Sequence, residues 1–303
     1  MFDLIIIGSG PAGITAGIYA ARKKINTLIL TKDFIGQVGR AFLIENYPGF
    51  TSIRGMALVE QWKKQLEAQE IETREGETVK AIRKKENFFE VETNNQTYTA
   101  SSIIIATGRA PRKLNILGER EFLGKGLGYC VTCDGPLFRD KIVAVIGGGN
   151  SGFGAALELS EYCAKIYLLH SNASPNADEI SQDKVNSNKK IELILNASIK
   201  EVRGNNTVKS LVYEDVLEKQ KKELKVEGIF IEIGYIPATD FLKDVIDLND
   251  HHEIIINSID FSTSVSGIFA AGDVVNGSVK QIITAAGDGC KAAISAYEYI
   301  KKR

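Results

Sequence analysis

Residues 142–152 read IVAVIGGGNSG: five apolar residues, then Gly147-Gly148-Gly149-Asn150-Ser151-Gly152. The apolar run predicts a strand. The Gly-x-Gly-x-x-Gly spacing predicts a tight turn whose backbone can approach a pyrophosphate at a helix N-terminus. An amphipathic pattern follows at Ala156, Leu157, Leu159 and Ser160, and then a second apolar run from Ile166 to Leu169. One β-turn-α-β match of this kind is a weak signal. The chain opens with another. Leu4–Ile7 lead into Gly8-Ser9-Gly10-Pro11-Ala12-Gly13, a helical pattern (Ile14, Ile18, Ala21) and a strand at Thr27–Leu30.

The repeat continues beyond the turns. Residues 71–99 alternate apolar and polar at Val79, Ile82, Phe89, Val91 and Tyr98, turn at Asn94-Asn95, and read as a β-meander leading to Ile103–Gly108. Residues 191–226, with a turn at Asn205-Asn206, lead in the same way to Ile229–Gly234. Residues 263–300 close the first module instead of starting a third. The predicted fold class is therefore α/β: two nested Rossmann-like dinucleotide-binding domains, each with a small meander, the second inserted into the first.

Bulk properties agree. The chain has 303 residues, 44% hydrophobic and 25% charged, with a formal net charge of −1. It has room for two domain cores and no basic field to attract nucleic acid. The opening MFDLIIIGSG is apolar but short and lacks a basic start. No run reaches membrane-span length, so a cytoplasmic protein is expected. In such a compartment Cys130-x-x-Cys133 points to redox or metal chemistry, not to a structural disulfide.

Five motifs in order carry a family resemblance: Gly8–Gly13, Glu45-Asn46-Tyr47-Pro48-Gly49, Ala106-Thr107-Gly108, Cys130-Val131-Thr132-Cys133-Asp134-Gly135, and Gly267–Asp273. The chain resembles, over nearly its whole length, the low-molecular-weight thioredoxin reductases among the flavin disulfide reductases. The resemblance implies a discontinuous FAD-binding domain (residues 1–111 and 241–303), an inserted NAD(P)H-like domain carrying the dithiol (112–240), and a homodimer.

It also implies roles. Gly8, Gly10, Pro11, Ala12 and Gly13 would hold the FAD pyrophosphate. Gln37, Asn46, Thr107, Gly108, Gly272 and Asp273 would line the flavin, with Asp273 accepting ribityl hydroxyls. Lys280, Gln281 and Ile282, at the start of the last helix, would face its pyrimidine edge and favour the anionic reduced ring. Lys280 stands where the family often has Arg, and the end of the first domain's second strand, near Thr31, lacks the acid expected for the FAD ribose. Cys133 would face the flavin, Cys130 would attack thioredoxin, and Asp134 would move protons. Because one dithiol cannot touch flavin and thioredoxin together, the inserted domain is expected to swing about its two crossings, after Gly108 and Gly234. Zinc is the competing reading of the cysteines, but Cys163 and Cys290 are solitary and His251-His252 lack ligand spacing.

One stretch breaks the pattern. NADPH-using relatives end the inserted domain's second strand in His-Arg-Arg, with a further Arg four positions on. Here the strand ends His170-Ser171-Asn172, and the third position is Asn176; no acid for NADH appears before Asp178. The pattern resembles the pyridine-nucleotide-independent, ferredoxin-dependent members, so reduced ferredoxin is the expected donor. The alternatives are a relocated NAD(P)H clamp, for instance through Lys184; a dithiol oxidase that passes electrons to oxygen; and a flavin redox sensor without turnover.

Overall fold

The computed structural model describes residues 1–39, 44, 46–242, 244–277 and 279–303, with the side chains of Thr132 and Cys133 outside the description. It divides into two compact units: Met1–Ala110 with Ile236–Arg303, and Pro111–Tyr235.

The first unit is built on a seven-stranded sheet. Phe2–Ile7 lies at its centre, parallel to Thr27–Thr31 on one side and to Thr97–Ile105 on the other. Thr97–Ile105 serves two partners along its far edge, antiparallel Phe89–Thr93 beside its first half and parallel Ile268–Ala270 beside its last. Both faces of the sheet are covered, which is why the central strand is apolar throughout instead of alternating. Leu4, Ile6, Ile29 and Ile104 pack with the helices Pro11–Arg22, Gly55–Glu67 and Ile282–Lys301. Ile5, Ile7, Leu28, Leu30, Ile103 and Ile105 pack with Val79, Phe89, Val91 and Ile254 on the other side. Each such side chain contributes about 1.5–3 kcal/mol of burial. The first and last helices meet closely, because a Cβ on Gly289 would come within 2.0 Å of the Ala12 carbonyl oxygen.

The second unit repeats the scheme. A five-stranded parallel sheet runs in the order Ile191–Ile194, Lys165–Leu169, Ile142–Ile146, Gly228–Ile231, Leu127–Gly128. Val143, Val145, Ile166 and Phe230 pack on the helix Asn150–Ser160 through Phe153, Ala156 and Leu159. Ala144, Ile146 and Ile229 pack on a three-stranded antiparallel sheet formed by Ala197–Gly204, Val208–Asp215 and Gln220–Lys225.

Each meander is shorter than its sequence pattern. Glu72–Glu75 joins the parallel sheet beside Thr27–Thr31, and Ile191–Ile194 joins beside Lys165–Leu169. Period-two alternation reads the same for a parallel edge strand as for a meander strand. A preceding helix (Gly55–Glu67 or Glu179–Ser187) supplies the crossover that makes each one parallel. The α/β class stands. At the two crossings between units, Gly108 and Gly234 take positive φ (62° and 94°), which glycine tolerates best.

Candidate functional site

In the first unit the Gly-rich turn is closed by backbone contact. A Cβ on Gly13 would sit 1.9 Å from the Gly8 carbonyl oxygen, and one on Gly8 (φ 109°) would sit 2.3 Å from that of Ala106. Gly10 differs: it N-caps Pro11–Arg22 without a side-chain cap, and a Cβ there would meet nothing within 4 Å. Among the described residues no side chain caps this first turn, the arrangement of a helix N-terminus open to an anion. At the strand end where an acid was expected, Thr31 Oγ1 instead lies 2.7 Å from Ser9 Oγ, and both hydroxyls donate to the Asp33 carbonyl. The hydroxyl pair ties the turn to the second strand.

The chain beyond Ala270 returns to this turn. Gly272 (φ 81°) approaches Ala12, and Asp273 follows it. Burial pushes the Asp273 carboxyl up, partly offset by the Arg109 and Lys280 cations and by a hydrogen bond from Gln37. That bond, from Gln37 Nε2, is long at 3.5 Å, leaving the carboxylate weakly partnered. Gln37 Nε2 also lies 3.9 Å from where a Gly108 Cβ would stand. Asn46 Nδ2 donates to Gln281 Oε1 at 3.2 Å, Gln281 caps Ile282–Lys301 in a capping box with Thr284, and Thr107 Oγ1 donates to the Ala238 carbonyl at 3.0 Å. The candidates of this unit thus fall into three contacting sets: Gly8–Gly13 with Gly272, Gln37 with Gly108 and Asp273, and Asn46 with Gln281. Glu45 lies outside the described residues.

Sequence reasoning missed one group beside Asp273. Glu253 is 8% exposed. Its Oε1 accepts from Arg109 Nη2 at 2.7 Å and pairs with Lys280 Nζ at 3.1 Å, while its Oε2 accepts from Asn249 Nδ2 at 2.9 Å. Burial pushes the Glu253 carboxyl up, but the Asn249 and Lys280 hydrogen bonds and the two cations outweigh it and hold the group below its ordinary range. No local pattern could have shown this, since 144 residues separate Arg109 from Glu253.

In the second unit Cys130 is 8% exposed and disulfide-bonded. The Cys133 side chain lies outside the described residues. Asp134 closes the one-turn helix Val131–Asp134, its N–H donating to the Cys130 carbonyl at 3.1 Å. A Cβ on Gly128 would stand 2.7 Å from Asp134 Oδ2, so glycine there makes room for the carboxylate. Burial pushes the Asp134 carboxyl above its ordinary range. Tyr129, next to Cys130, donates to buried Glu119 at 2.6 Å, and the Glu119 carboxylate also accepts from the Leu114 and Asn115 amides. The remaining cysteines, Cys163 and Cys290, are free; burial pushes the Cys163 thiol up to about 11, an unreactive core thiol.

The second Gly-rich turn keeps its shape. A Cβ on Gly152 would sit 2.0 Å from the Gly147 carbonyl oxygen, and Gly149 caps Asn150–Ser160 without a side-chain cap. The His170 ring lies against Gly148, the Asn176 N–H donates to the Gly148 carbonyl at 2.7 Å, and the Asp178 N–H donates to Asn150 Oδ1 at 2.7 Å. Ser171, Asn172 and Asn176 are exposed. Asp178 is spent as the N-cap of Glu179–Ser187, where it accepts from Ser181, and Lys184 is exposed in that helix's last turn.

Two Gly-rich β-turn-α-β units are thus joined in one chain with a bonded cysteine close to a half-buried acid. A family model described as pyridine nucleotide-disulphide oxidoreductase matches residues 2–289. The chain belongs to this family. Its members bind FAD, and the protein is a flavoprotein oxidoreductase acting on disulfides. Thioredoxin reductase of Treponema pallidum is 40% identical, with 99% of this chain and 97% of that protein covered. Lactococcus lactis thioredoxin reductase, solved in its FR conformation, superposes with a TM-score of 0.91 at 36% identity over the whole of both chains. A ferredoxin-flavin thioredoxin reductase from Clostridium acetobutylicum gives a TM-score of 0.55 at 29% identity, covering 100% of this chain and 99% of that one. Other relatives are longer: NADH dehydrogenase of Bacillus subtilis is 37% identical over 99% of this chain, which spans 58% of it. Among the described residues no helix is long and apolar enough to cross a membrane.

Proposed function

We propose that the protein reduces the disulfide of thioredoxin with electrons from reduced ferredoxin. Two reduced ferredoxins would each give one electron, two protons would come from solvent, and the thioredoxin disulfide would leave as a dithiol. The observation that carries the donor is the strand end His170–Asn176: three exposed uncharged side chains where a 2′-phosphate needs cations, and the nearest acid committed to a helix cap. The energetics permit the transfer. A ferredoxin near −400 mV lies about 130 mV below thioredoxin at about −270 mV, roughly 6 kcal/mol for two electrons.

The residues fit FAD. The first turn at Gly10–Gly13, without a side-chain cap, suits its pyrophosphate, and half-buried, weakly partnered Asp273 suits hydroxyl donors; Gln37, Asn46, Thr107, Gly108, Gly272, Lys280, Gln281 and Ile282 would line the flavin. When bound, FAD supplies the relay between one-electron donor and two-electron dithiol. The chain's own part is the dithiol chemistry. Cys130 attacks the thioredoxin disulfide as a thiolate, Cys133 resolves the mixed disulfide, and Asp134 holds and returns the proton. The reading includes a homodimer and a cytoplasmic location, where a Cys-x-x-Cys pair serves redox exchange.

Gly13→Ala checks the FAD assignment. Its Cβ must push backbone, not a flexible side chain, a strain of about 1–3 kcal/mol or more. The ratio of flavin to protein absorbance should fall well below that of the yellow wild type; equal occupancy would remove the turn from the site. A second reading, a nicotinamide donor held without the arginines, is favoured by the relative named NADH dehydrogenase. Anaerobic mixing with NADPH, NADH or reduced ferredoxin separates the two. Rapid flavin bleaching by ferredoxin alone is expected, and bleaching by either nucleotide at a comparable rate would refute the donor assignment.

A further inference from the structure

Glu253 does not belong to any motif, and no step described so far uses it. It is a buried anion shared by two cations, and each cation makes a second bond to the segment carrying Asp273. Arg109 Nε donates to the Asp273 carbonyl at 3.2 Å, and Lys280 Nζ donates to the Val275 carbonyl. Asn249 completes the cage, bonding the Glu253 carboxylate through Nδ2 and accepting the Glu253 N–H through Oδ1 at 2.9 Å. Three parts of the chain are thus joined through one carboxylate: the strand beginning at Arg109, the loop 249–253, and Asp273–Val275 with Lys280.

As a clamp alone this is an expensive choice. Burying an ion pair roughly cancels its own Coulomb gain, and apolar side chains of similar volume hold segments together as well. What a charged cage provides is a field. Arg109 and Lys280 contribute +2 and Glu253 −1; the Asp273 carboxyl faces both cations and that of Asp288 faces Lys280, so what Glu253 fixes is one negative unit of that local balance. In a partly buried setting a unit charge acts several-fold more strongly than in water. Net positive charge fixed beside a cofactor favours the form that carries more negative charge.

We propose that Glu253 is a positioning residue of the flavin site, whose carboxylate holds Arg109 and Lys280 at the Asp273 turn and sets how much positive charge that site keeps. The proposal rests on FAD being bound there, and it makes a signed demand on the flavin potential.

The test uses the holoprotein and reads the flavin midpoint by anaerobic dye-linked titration, with FAD content and thermal unfolding recorded in parallel. Glu253→Gln removes one negative charge from the cage and should favour reduced flavin at least tenfold, about 30 mV upward for a two-electron couple. Arg109→Gln should move the midpoint down by a similar factor, and the double variant should return to within about threefold of the wild type. Glu253→Asp keeps the charge and should stay near the wild-type midpoint even where unfolding temperature falls. Shifts of one sign in both single variants, no shift in either, or a shift in Glu253→Asp as large as in Glu253→Gln would make the cage a structural clamp and overturn the proposal. If Glu253→Gln fails to fold, Arg109→Gln and Glu253→Asp still decide the sign. A wild type that binds no FAD would defeat the flavin-site reading as well; a wild type with FAD and variants without the signed response defeats this inference alone.

Discussion

Cys130→Ser is expected to lower thioredoxin reduction by on the order of 10³-fold or more while leaving FAD bound. Serine is nearly isosteric with cysteine and should keep the fold, at the cost of the Cys130 disulfide and of a hydroxyl placed in a buried position. What it removes is the nucleophile, and a lost nucleophile removes most of the chemistry that depends on it. A thiol near pKa ~8.5 is already partly ionised at neutral pH, and these motifs push it lower; a serine hydroxyl has no such form. Asp134, its carboxyl raised by burial, stays in place with no thiol to serve. The variant also separates the roles of the two cysteines. With Cys130 gone, Cys133 is left as a free thiolate, which should give a long-wavelength charge-transfer absorbance against oxidised flavin. If that band appears in Cys133→Ser instead, the inner and outer assignments are reversed. Turnover above about a tenth of wild type would remove Cys130 from the chemistry altogether.

The parts of this protein that sequence makes legible are those fixed by short-range chemistry. Gly8, Gly13, Gly147 and Gly152 each face a backbone atom closer than any Cβ allows, so the spacing itself records the turn. Leu4–Ile7 and Val143–Ile146 are apolar without alternation because each strand is covered on both faces. Glu72–Glu75 and Ile191–Ile194 escaped correct placement because alternation says that one face is buried and not which neighbour pairs. The cage around Glu253 escaped altogether. Its members are scattered from Arg109 to Lys280, and an acid in a loop reads as solvated until the fold brings two cations to it. Ser9 and Thr31 fall between these cases: eighteen residues past the turn an acid was expected, and a hydroxyl pair does the tying instead.

Ser171→Arg/Asn172→Arg/Asn176→Arg is expected to raise flavin bleaching by NADPH by about 10³-fold, if the donor of the wild type is reduced ferredoxin as proposed. The three side chains are exposed. Among the described residues their side chains share one hydrogen bond, a long one of 3.5 Å between Ser171 Oγ and Asn172 Oδ1. The backbone bonds that shape the loop, Asn176 N–H to Gly148 and Asn196 N–H to the Asn172 carbonyl, do not depend on side-chain identity. Stability should therefore move by no more than about 0.5 kcal/mol. Each restored charged hydrogen bond to a 2′-phosphate is worth about 1.5–3 kcal/mol, so three could give about 4–9 kcal/mol, or three to six orders of magnitude, if they added. Neighbouring cations on one phosphate do not add fully, which places the expectation at the lower end. NADH, which has no 2′-phosphate, is the internal control and should gain at most a few-fold. Stopped-flow bleaching at fixed NADPH, wild type against triple variant, reads the result. A folded, yellow triple variant with no gain would mean that the second module has lost more than its cations. A wild type that NADPH already reduces quickly would mean that the clamp was never lost, only moved.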